Sequence, residues 1–208
     1  MKAVDYADFV EMRKHDSLRN RMNKVPLSVV IITKNEASNI AECLQSVSWA
    51  DEIILVDDDS RDATREIAKQ YTDKIFKSAD SSFAARHNLG KEKAKGDWIL
   101  YIDSDERVSQ KLAQEIKNID DSFDAYQLSR VNYFLGKAVK YGDRVPDFVT
   151  RLFRKDKLKN WIGEIHESSE VSGKIGQLKA PIYHLTHRGI FSMVKKTINF
   201  SEREVDIR

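Results

Sequence analysis

A chain of 208 residues, 41% hydrophobic and 33% charged, has the means to fill one large domain, or two small halves sharing a sheet, with a real core. Its formal net charge of +2 gives no global attraction for nucleic acid or for an acidic partner. Cys43 is the single cysteine, which excludes an internal disulfide and a cysteine-based zinc site; a small buried thiol is its expected role.

No run approaches the roughly 20 apolar residues of a membrane span, and Asp5 and Asp8 argue against a signal peptide. The expectation is a cytoplasmic protein, soluble or peripheral at the inner face of the cytoplasmic membrane. Residues 1–26 are polar and aperiodic, an extension expected to be helical and carrying Arg13, Lys14, Arg19, Arg21 and Lys24. A second basic cluster gathers Arg151, Arg154, Lys155, Lys157 and Lys159, and both clusters read first as solvated faces.

From Leu27 a repeating pattern begins. The β-branched run 27–33 predicts a strand buried on both faces, and the spacing over 38–46 predicts a helix. Residues 53–56 form a second predicted strand, 62–71 a helix, and 74–77 a weak third strand. Ser82 is the expected N-cap of a helix running to about Lys95 and closed by Gly96. Residues 98–102 are the fourth predicted strand, and 109–117 a further helix. Strands alternating with helices at this spacing imply a mostly parallel, Rossmann-like α/β sheet with right-handed crossovers. The alternation then fades. Residues 125–134 predict a long strand, Leu135-Gly136 a turn and 149–153 another strand, within a mixed-sheet half rich in mobile loops; 179–181 falls in an irregular stretch, and 191–208 is helical in pattern.

In an open parallel sheet, ligands bind beyond the carboxyl ends of the strands. Three polar clusters fall there: Thr33-Lys34-Asn35-Glu36, then Asp57-Asp58-Asp59-Ser60-Arg61-Asp62, then Asp103-Ser104-Asp105-Glu106. In Asp103-Ser104-Asp105, the two-residue period of a strand puts both carboxylates on one side and Ser104 on the other. Two hard oxygen ligands on one face suit Mg²⁺ or Mn²⁺, with a substrate's phosphates and water completing the shell. A receiver domain would need Asp57-Asp58-Asp59 at the end of the first strand, and a sugar nucleotidyltransferase would need a glycine-rich loop where "ITKNEASN" has none. A non-catalytic nucleotide- or carbohydrate-binding module remains the rival from another class.

The segments "SVVIITKNEASNIAECLQSV", "ILVDDDSRDATREIA", "ARHNLGKEKAKGDWILYIDSDE", "DFVTRLFR" and "IGEIHE" resemble the family 2 glycosyltransferases, inverting enzymes of GT-A fold. The likeness covers residues 27–188, and the later motifs look most like the lipopolysaccharide core biosynthesis subgroup. It implies a nucleotide-sugar-binding half over 27–107, an acceptor-binding half over 108–188, and a helical tail over 189–208. By that resemblance Thr33, Asn35, Glu36, Asp57, Asp58, Arg86, Asp103 and Ser104 bind the nucleotide-sugar, probing a uracil or guanine edge through Asp57. Asp105 ligates the metal, Asp103 joins it directly or through water, and His184 is a further ligand. Glu167 is the expected general base, with Asp147 the alternative. Asp59 occupies a position where this family usually has glycine, so a positive φ is expected at a residue that tolerates it better than most. The implied partners are a nucleotide-sugar donor, UDP-sugar ahead of GDP-sugar, and a glycan or lipid-linked acceptor, with peripheral membrane contact and no nucleic acid.

Overall fold

The computed structural model describes residues 25–78, 82–120, 122–142, 145–163 and 168–187. The N-terminal arm through residue 24, the C-terminal segment from 188 and Glu167 lie outside the described residues.

The predicted α/β architecture is present. Strands β1 (Leu27–Thr33), β2 (Glu52–Asp57), β3 (Ile75–Lys77) and β4 (Trp98–Asp103) pair in parallel in the order β3-β2-β1-β4. Between them run helices α1 (Ile40–Ser46), α2 (Thr64–Ala68) and α3 (Phe83–Lys93), with α4 (Gln110–Lys117) following. The β-branched run of β1 is buried because both its faces are covered. Val29 and Ile31 join Leu55, Leu100 and Ile102 against α1 and α4, while Val30 joins Ile54, Ile99 and Tyr101 against α3. At Gly90, α3 comes so close to β1 that an added Cβ would strike the Val30 side chain, which makes glycine a packing requirement there.

The second half extends the same sheet. β8 (Asp147–Arg154) pairs antiparallel to β4, and β6 (Ala125–Phe134) antiparallel to β8, so β6 runs in the direction of β4. β11 (Ile175–His187) lies parallel to β6, and β5 (Glu106–Val108) closes the far edge antiparallel to β11. β7 (Lys137–Ala138) folds back on β6, and β9 (Leu158–Ile162) pairs with β10 (Ser168–Val171) in a separate ribbon. The carboxyl ends of β1, β2, β4, β6 and β11 therefore share one edge.

Where the pattern was expected to be irregular, β11 is a strand of 13 residues. Its register against β6 shifts between Gln177 and Pro181, and the freed N–H groups of Lys179 and Ala180 donate to Glu115 Oε2 at 3.0 and 2.9 Å. That bulge accommodates Pro181, which has no N–H for a ladder, and it hides the strand's period in the sequence. α1 and α2 are shorter than predicted because polar side chains bind the loops before them, as where Asp62 Oδ1 accepts from Thr64 N at 3.0 Å. Both expected serine caps are present: Ser82 Oγ accepts from Ala85 N and Ser109 Oγ from Leu112 N, each at 3.1 Å. Cys43 is buried, and burial pushes its thiol pKa well up, which fits a packing role. Among the described residues no helix is long and apolar enough to cross a membrane.

Candidate active site

The loops after β1 and β2 are sewn together by side-chain-to-backbone bonds. Thr33 and Asp57 are register partners, and Asp58 N donates to Thr33 O at 2.9 Å. Asn35, at φ 54°, donates its N–H to Ser60 Oγ at 2.9 Å and accepts from Arg61 N at 2.8 Å. Glu36 N donates to Thr64 Oγ1 at 2.8 Å, and Ala37 N to Asp62 Oδ2 at 3.1 Å. Asp59 adopts the expected left-handed conformation, at φ 54°, and its carboxylate meets Lys77 at 2.8 Å.

This sewing leaves two polar atoms unsatisfied at the floor. Asp57 is fully buried; its Oδ2 accepts from Ser60 N at 3.0 Å, but its Oδ1 has no hydrogen-bond partner among the described residues. Thr33 Oγ1 is buried in the same condition. Buried oxygens are rarely left so, and two at adjoining strand ends mark a place where a ligand's donors belong. Asp58 is an internal counter-charge, pairing with Arg86 at 2.9 Å and with Lys34 at 3.0 Å. Arg86 is buried, with its guanidinium 4.4 Å from the centre of the Phe83 ring.

β4 ends at Asp103, and Ser104 and Asp105 form a turn into β5, so strand alternation stops before the second aspartate. The two carboxylates face different partners. Asp103 Oδ2 accepts from Arg151 at 2.5 Å, whereas Asp105 Oδ1 lies 3.5 Å from His184 Nε2. His184 is held in turn: its Nδ1 donates to Asn132 Oδ1 at 2.7 Å, because the Asn132 amide is oriented by donating from Nδ2 to Asp147 at 2.9 Å. That bond turns the Nε2 side of the ring toward Asp105, where Nε2–H donates to the carboxylate when the ring is protonated and a lone pair is offered when it is neutral. An oxygen and a nitrogen donor converging at this distance fit a divalent cation as two of its ligands, although among the described residues no group of three or more acidic, histidine or cysteine side chains gathers to hold one. Burial lowers the His184 pKa, but the bond and charge of Asp105, with Glu106, outweigh it and raise the pKa overall.

Asp147 is spoken for. Arg130 donates to it at 2.8 Å alongside Asn132, and these bonds outweigh burial to hold its carboxyl below the usual range. Sequence reading missed the residues that support the acidic turn. Glu106 is fully buried, accepts from Asp103 N at 3.0 Å, and faces Arg130 and Arg151 at 3.6 and 3.9 Å. Arg107 donates to the carbonyls of Ser104 and Asn39, at 2.9 and 2.8 Å, fastening the turn to the start of α1. The available signal was charge inside strand patterns: Arg130 and Arg151 fall within the predicted strands 125–134 and 149–153 and so need buried partners, whereas Glu106 carried no such signal. Arg151 accordingly leaves the basic cluster assigned to it, Lys155 donates to Ala94 O, and the other three are paired with carboxylates. Arg154 and Lys157 meet Asp156 at 3.7 and 3.8 Å, and Lys159 meets Glu170 at 2.8 Å.

α3 also grips the β9–β10 ribbon. Asn88 donates to Trp161 O at 3.0 Å and accepts from Trp161 N at 2.8 Å. Trp161 is buried rather than open to a sugar ring, its indole 4.1 Å from the His87 ring, whose pKa burial pushes down to about 4. Asn88→Ala removes both bonds and is expected to cost about 1–3 kcal/mol in urea unfolding. Asn88→Asp keeps the acceptor for Trp161 N but sets a carboxylate oxygen against Trp161 O, so it should lose at least as much; a smaller loss would mean that the bond to Trp161 O is not part of the tie.

Residues 28–173 match the profile of Glycosyl transferase family 2. An uncharacterized glycosyltransferase of Rickettsia prowazekii is 29% identical over 194 residues, which cover 86% of this chain and 66% of that protein. The lipopolysaccharide core biosynthesis glycosyltransferase LpsC of Rhizobium meliloti is 26% identical over 170 residues, 75% of this chain and 61% of that protein. The crystal structure of S. aureus TarS 1–349 in complex with UDP-GlcNAc aligns with a TM-score of 0.57 at 19% identity, over 78% of this chain and 59% of that one. The likeness is one of fold, the GT-A arrangement. The chain thus spans about two thirds of its first Rickettsia relative. With most of its length inside the profile, from β1 to the end of the β9–β10 ribbon, this chain belongs to Glycosyl transferase family 2.

Proposed function

We propose that this protein transfers a sugar, with inversion, from a nucleotide-diphosphate sugar to a hydroxyl of a glycan or lipid-linked acceptor. UDP-sugar is the favoured donor, ahead of GDP-sugar. The observation that carries the reading is the pair of buried unsatisfied oxygens, Asp57 Oδ1 and Thr33 Oγ1, at the junction of β1 and β2. A carboxylate in that position accepts the N–H of a base edge and rejects a base that offers none. The nucleotide half is assigned to 27–107 and the acceptor half to 108–188. Kinship with LpsC supports an acceptor of the lipopolysaccharide core type, and the basic N-terminal arm supports contact with anionic lipid at the cytoplasmic face.

Asp105 and His184 would hold Mg²⁺ or Mn²⁺, with Asp103 contributing directly or through water. Bound there, the cation neutralises charge on the departing nucleoside diphosphate. The chain's own part is to position. Thr33, Asn35, Glu36, Asp57 and Asp58 shape the base and ribose end. Arg86 with Asp58, and Ser104 in its turn, fix the loops against the donor. Glu167 is the proposed general base, since Asp147, committed to Arg130 and Asn132, is a weak proton acceptor. Glu167→Gln is expected to keep donor affinity within about twofold and to lose transfer by about 10²–10⁴-fold. An active variant would move the base elsewhere.

The test is a thermal-shift panel of UDP-, GDP- and CDP-sugars with and without Mn²⁺. A donor at 100 times its Kd adds about 2.7 kcal/mol, or roughly 5–10 °C for a domain of this size. UDP-sugars should give that shift only with the metal present. A metal-independent shift with no sugar released or transferred would favour the binding-module reading instead.

A further inference from the structure

Nine large hydrophobic side chains are exposed among the described residues, and four of them, Phe134, Leu135, Val139 and Tyr141, fall within eight residues of sequence. They belong to the β6–β7 hairpin and the residues just after β7. Scattered exposed apolar residues need no explanation, but a cluster of this kind marks an interaction surface.

The hairpin's turn is unusual in its chemistry. Phe134 pairs with Lys137, and between them Leu135 and Gly136 both take positive φ, 47° and 77°. Two-residue turns of this form favour Asn or Asp followed by Gly, whereas a branched aliphatic side chain is disfavoured in that conformation. Here a leucine occupies the turn and stands 42% exposed, so its side chain lies at the tip with no core to bury it. Tyr141, just beyond β7, is 87% exposed.

Two further observations choose the occupant. First, the described residues 133–142 carry Lys137 and Lys140, both exposed, and no acidic residue, although Asp143 follows in the sequence. An anionic lipid surface matches both the apolar tip and these two charges. Second, the hairpin grows from the strand that carries Asn132. Val139 N donates to Asn132 O at 2.8 Å, and Asn132 belongs to the group that orients His184 toward Asp105. β6 also ends on the same sheet edge as β1, β2 and β4. The patch therefore adjoins the crevice on its acceptor side, while in the basic cluster of residues 154–159 Arg154, Lys157 and Lys159 pair with carboxylates and Lys155 donates to Ala94 O.

We propose that the β6–β7 hairpin, with Val139–Tyr141 just after it, forms a docking surface for the interfacial layer of an anionic lipid membrane. Leu135 and Phe134 enter the boundary between headgroups and chains, Tyr141 lies at headgroup level, and Lys137 and Lys140 meet lipid phosphates. The crevice is then presented to a hydroxyl held at that surface. This deepens the reading of a lipid-linked acceptor and rests on it for its purpose, but docking itself requires neither donor nor transfer.

The experiment is vesicle co-sedimentation of the full chain without donor, on phosphatidylcholine alone and with added phosphatidylglycerol. Wild type should partition to the anionic vesicles and weakly to the neutral ones. Leu135→Asn suits the positive φ and should fold at least as well; combined with Phe134→Ser it should lower partition about tenfold. Lys137→Gln with Lys140→Gln should lower partition about 30-fold on anionic vesicles only. Donor-induced thermal shifts should be unchanged in both pairs, which separates failure of docking from failure of the nucleotide-sugar reading. Wild-type partition equal on the two vesicle types, no partition at all, or partition unaffected by the Leu135 and Phe134 changes would each overturn the proposal. So would a hairpin-dependent dimer in the absence of vesicle binding.

Discussion

Asp105→Ala is expected to abolish the Mn²⁺-dependent part of nucleotide-sugar binding and to reduce transfer by at least about 10³-fold. Its carboxylate faces His184 Nε2 at 3.5 Å, the one carboxylate paired with that nitrogen among the described residues. The orientation of His184 does not depend on Asp105, since Asn132 and Asp147 set it from the other ring nitrogen. The backbone bond from Leu185 N to Asp105 O, 2.8 Å, also survives the substitution. The variant should therefore remain folded, with an unliganded melting point within a few degrees of wild type. Asp105→Asn tests charge apart from shape: it keeps a neutral oxygen but should lose most of the affinity for a hard cation. Titration of Mn²⁺ into each protein with UDP present is the measurement. Full retention of metal-dependent binding in Asp105→Ala would sink the assignment.

Asp105 stood out in the sequence by its place just after a buried apolar strand, and the structure puts the carboxyl ends of β1, β2 and β4 on one edge of the sheet. Strands such as β1 and β4 announce themselves because both faces are covered, so every residue must be apolar. The geometry at the strand ends was less legible. The two aspartates of the acidic triplet were expected on one side, yet β4 stops at Asp103 and the turn sends the two carboxylates to Arg151 and to His184. That outcome depends on Glu106, which draws in Asp103 N, and on Arg107, which draws in Ser104 O. Neither residue signals its role in isolation, because a charged residue reads as solvated until the strands that bury it are paired. β11 was hidden for a related reason. Its bulge at Lys179 and Ala180 is satisfied by Glu115, a residue distant in sequence, so no local period records it. Asp59 is the converse case: a glycine position filled by aspartate foretold a positive φ, because that constraint is local.

The buried carboxyl of Glu106 gives the largest expected loss of stability, and its pattern of substitution tells charge from hydrogen bonding. Burial raises the Glu106 pKa, and Arg151 only partly offsets that rise. A carboxyl whose charged form is disfavoured should be well mimicked by an amide. Glu106→Gln retains an oxygen for Asp103 N and is expected to stay within about 1 kcal/mol of wild type at neutral pH. Glu106→Ala leaves that N–H without its acceptor, opens a cavity, and strips Arg130 and Arg151 of a shared neighbour. Its expected cost is about 3–5 kcal/mol, a fall of roughly 6–20 °C in melting point. The pH dependence follows with a definite sign. Above its ordinary value of 4.5, the unfolded chain has released this proton while the folded protein still holds it. Stability contributed by Glu106 therefore falls as pH rises from that value through the folded pKa, and levels off beyond it. Glu106→Gln should lack this decline, so the difference between wild type and Gln variant, measured by urea unfolding across the range, should shrink as pH rises. If Glu106→Gln instead proves as damaging as Glu106→Ala, the two arginines require a full negative charge between them. The acidic turn would then be held by charge balance rather than by the bond to Asp103 N.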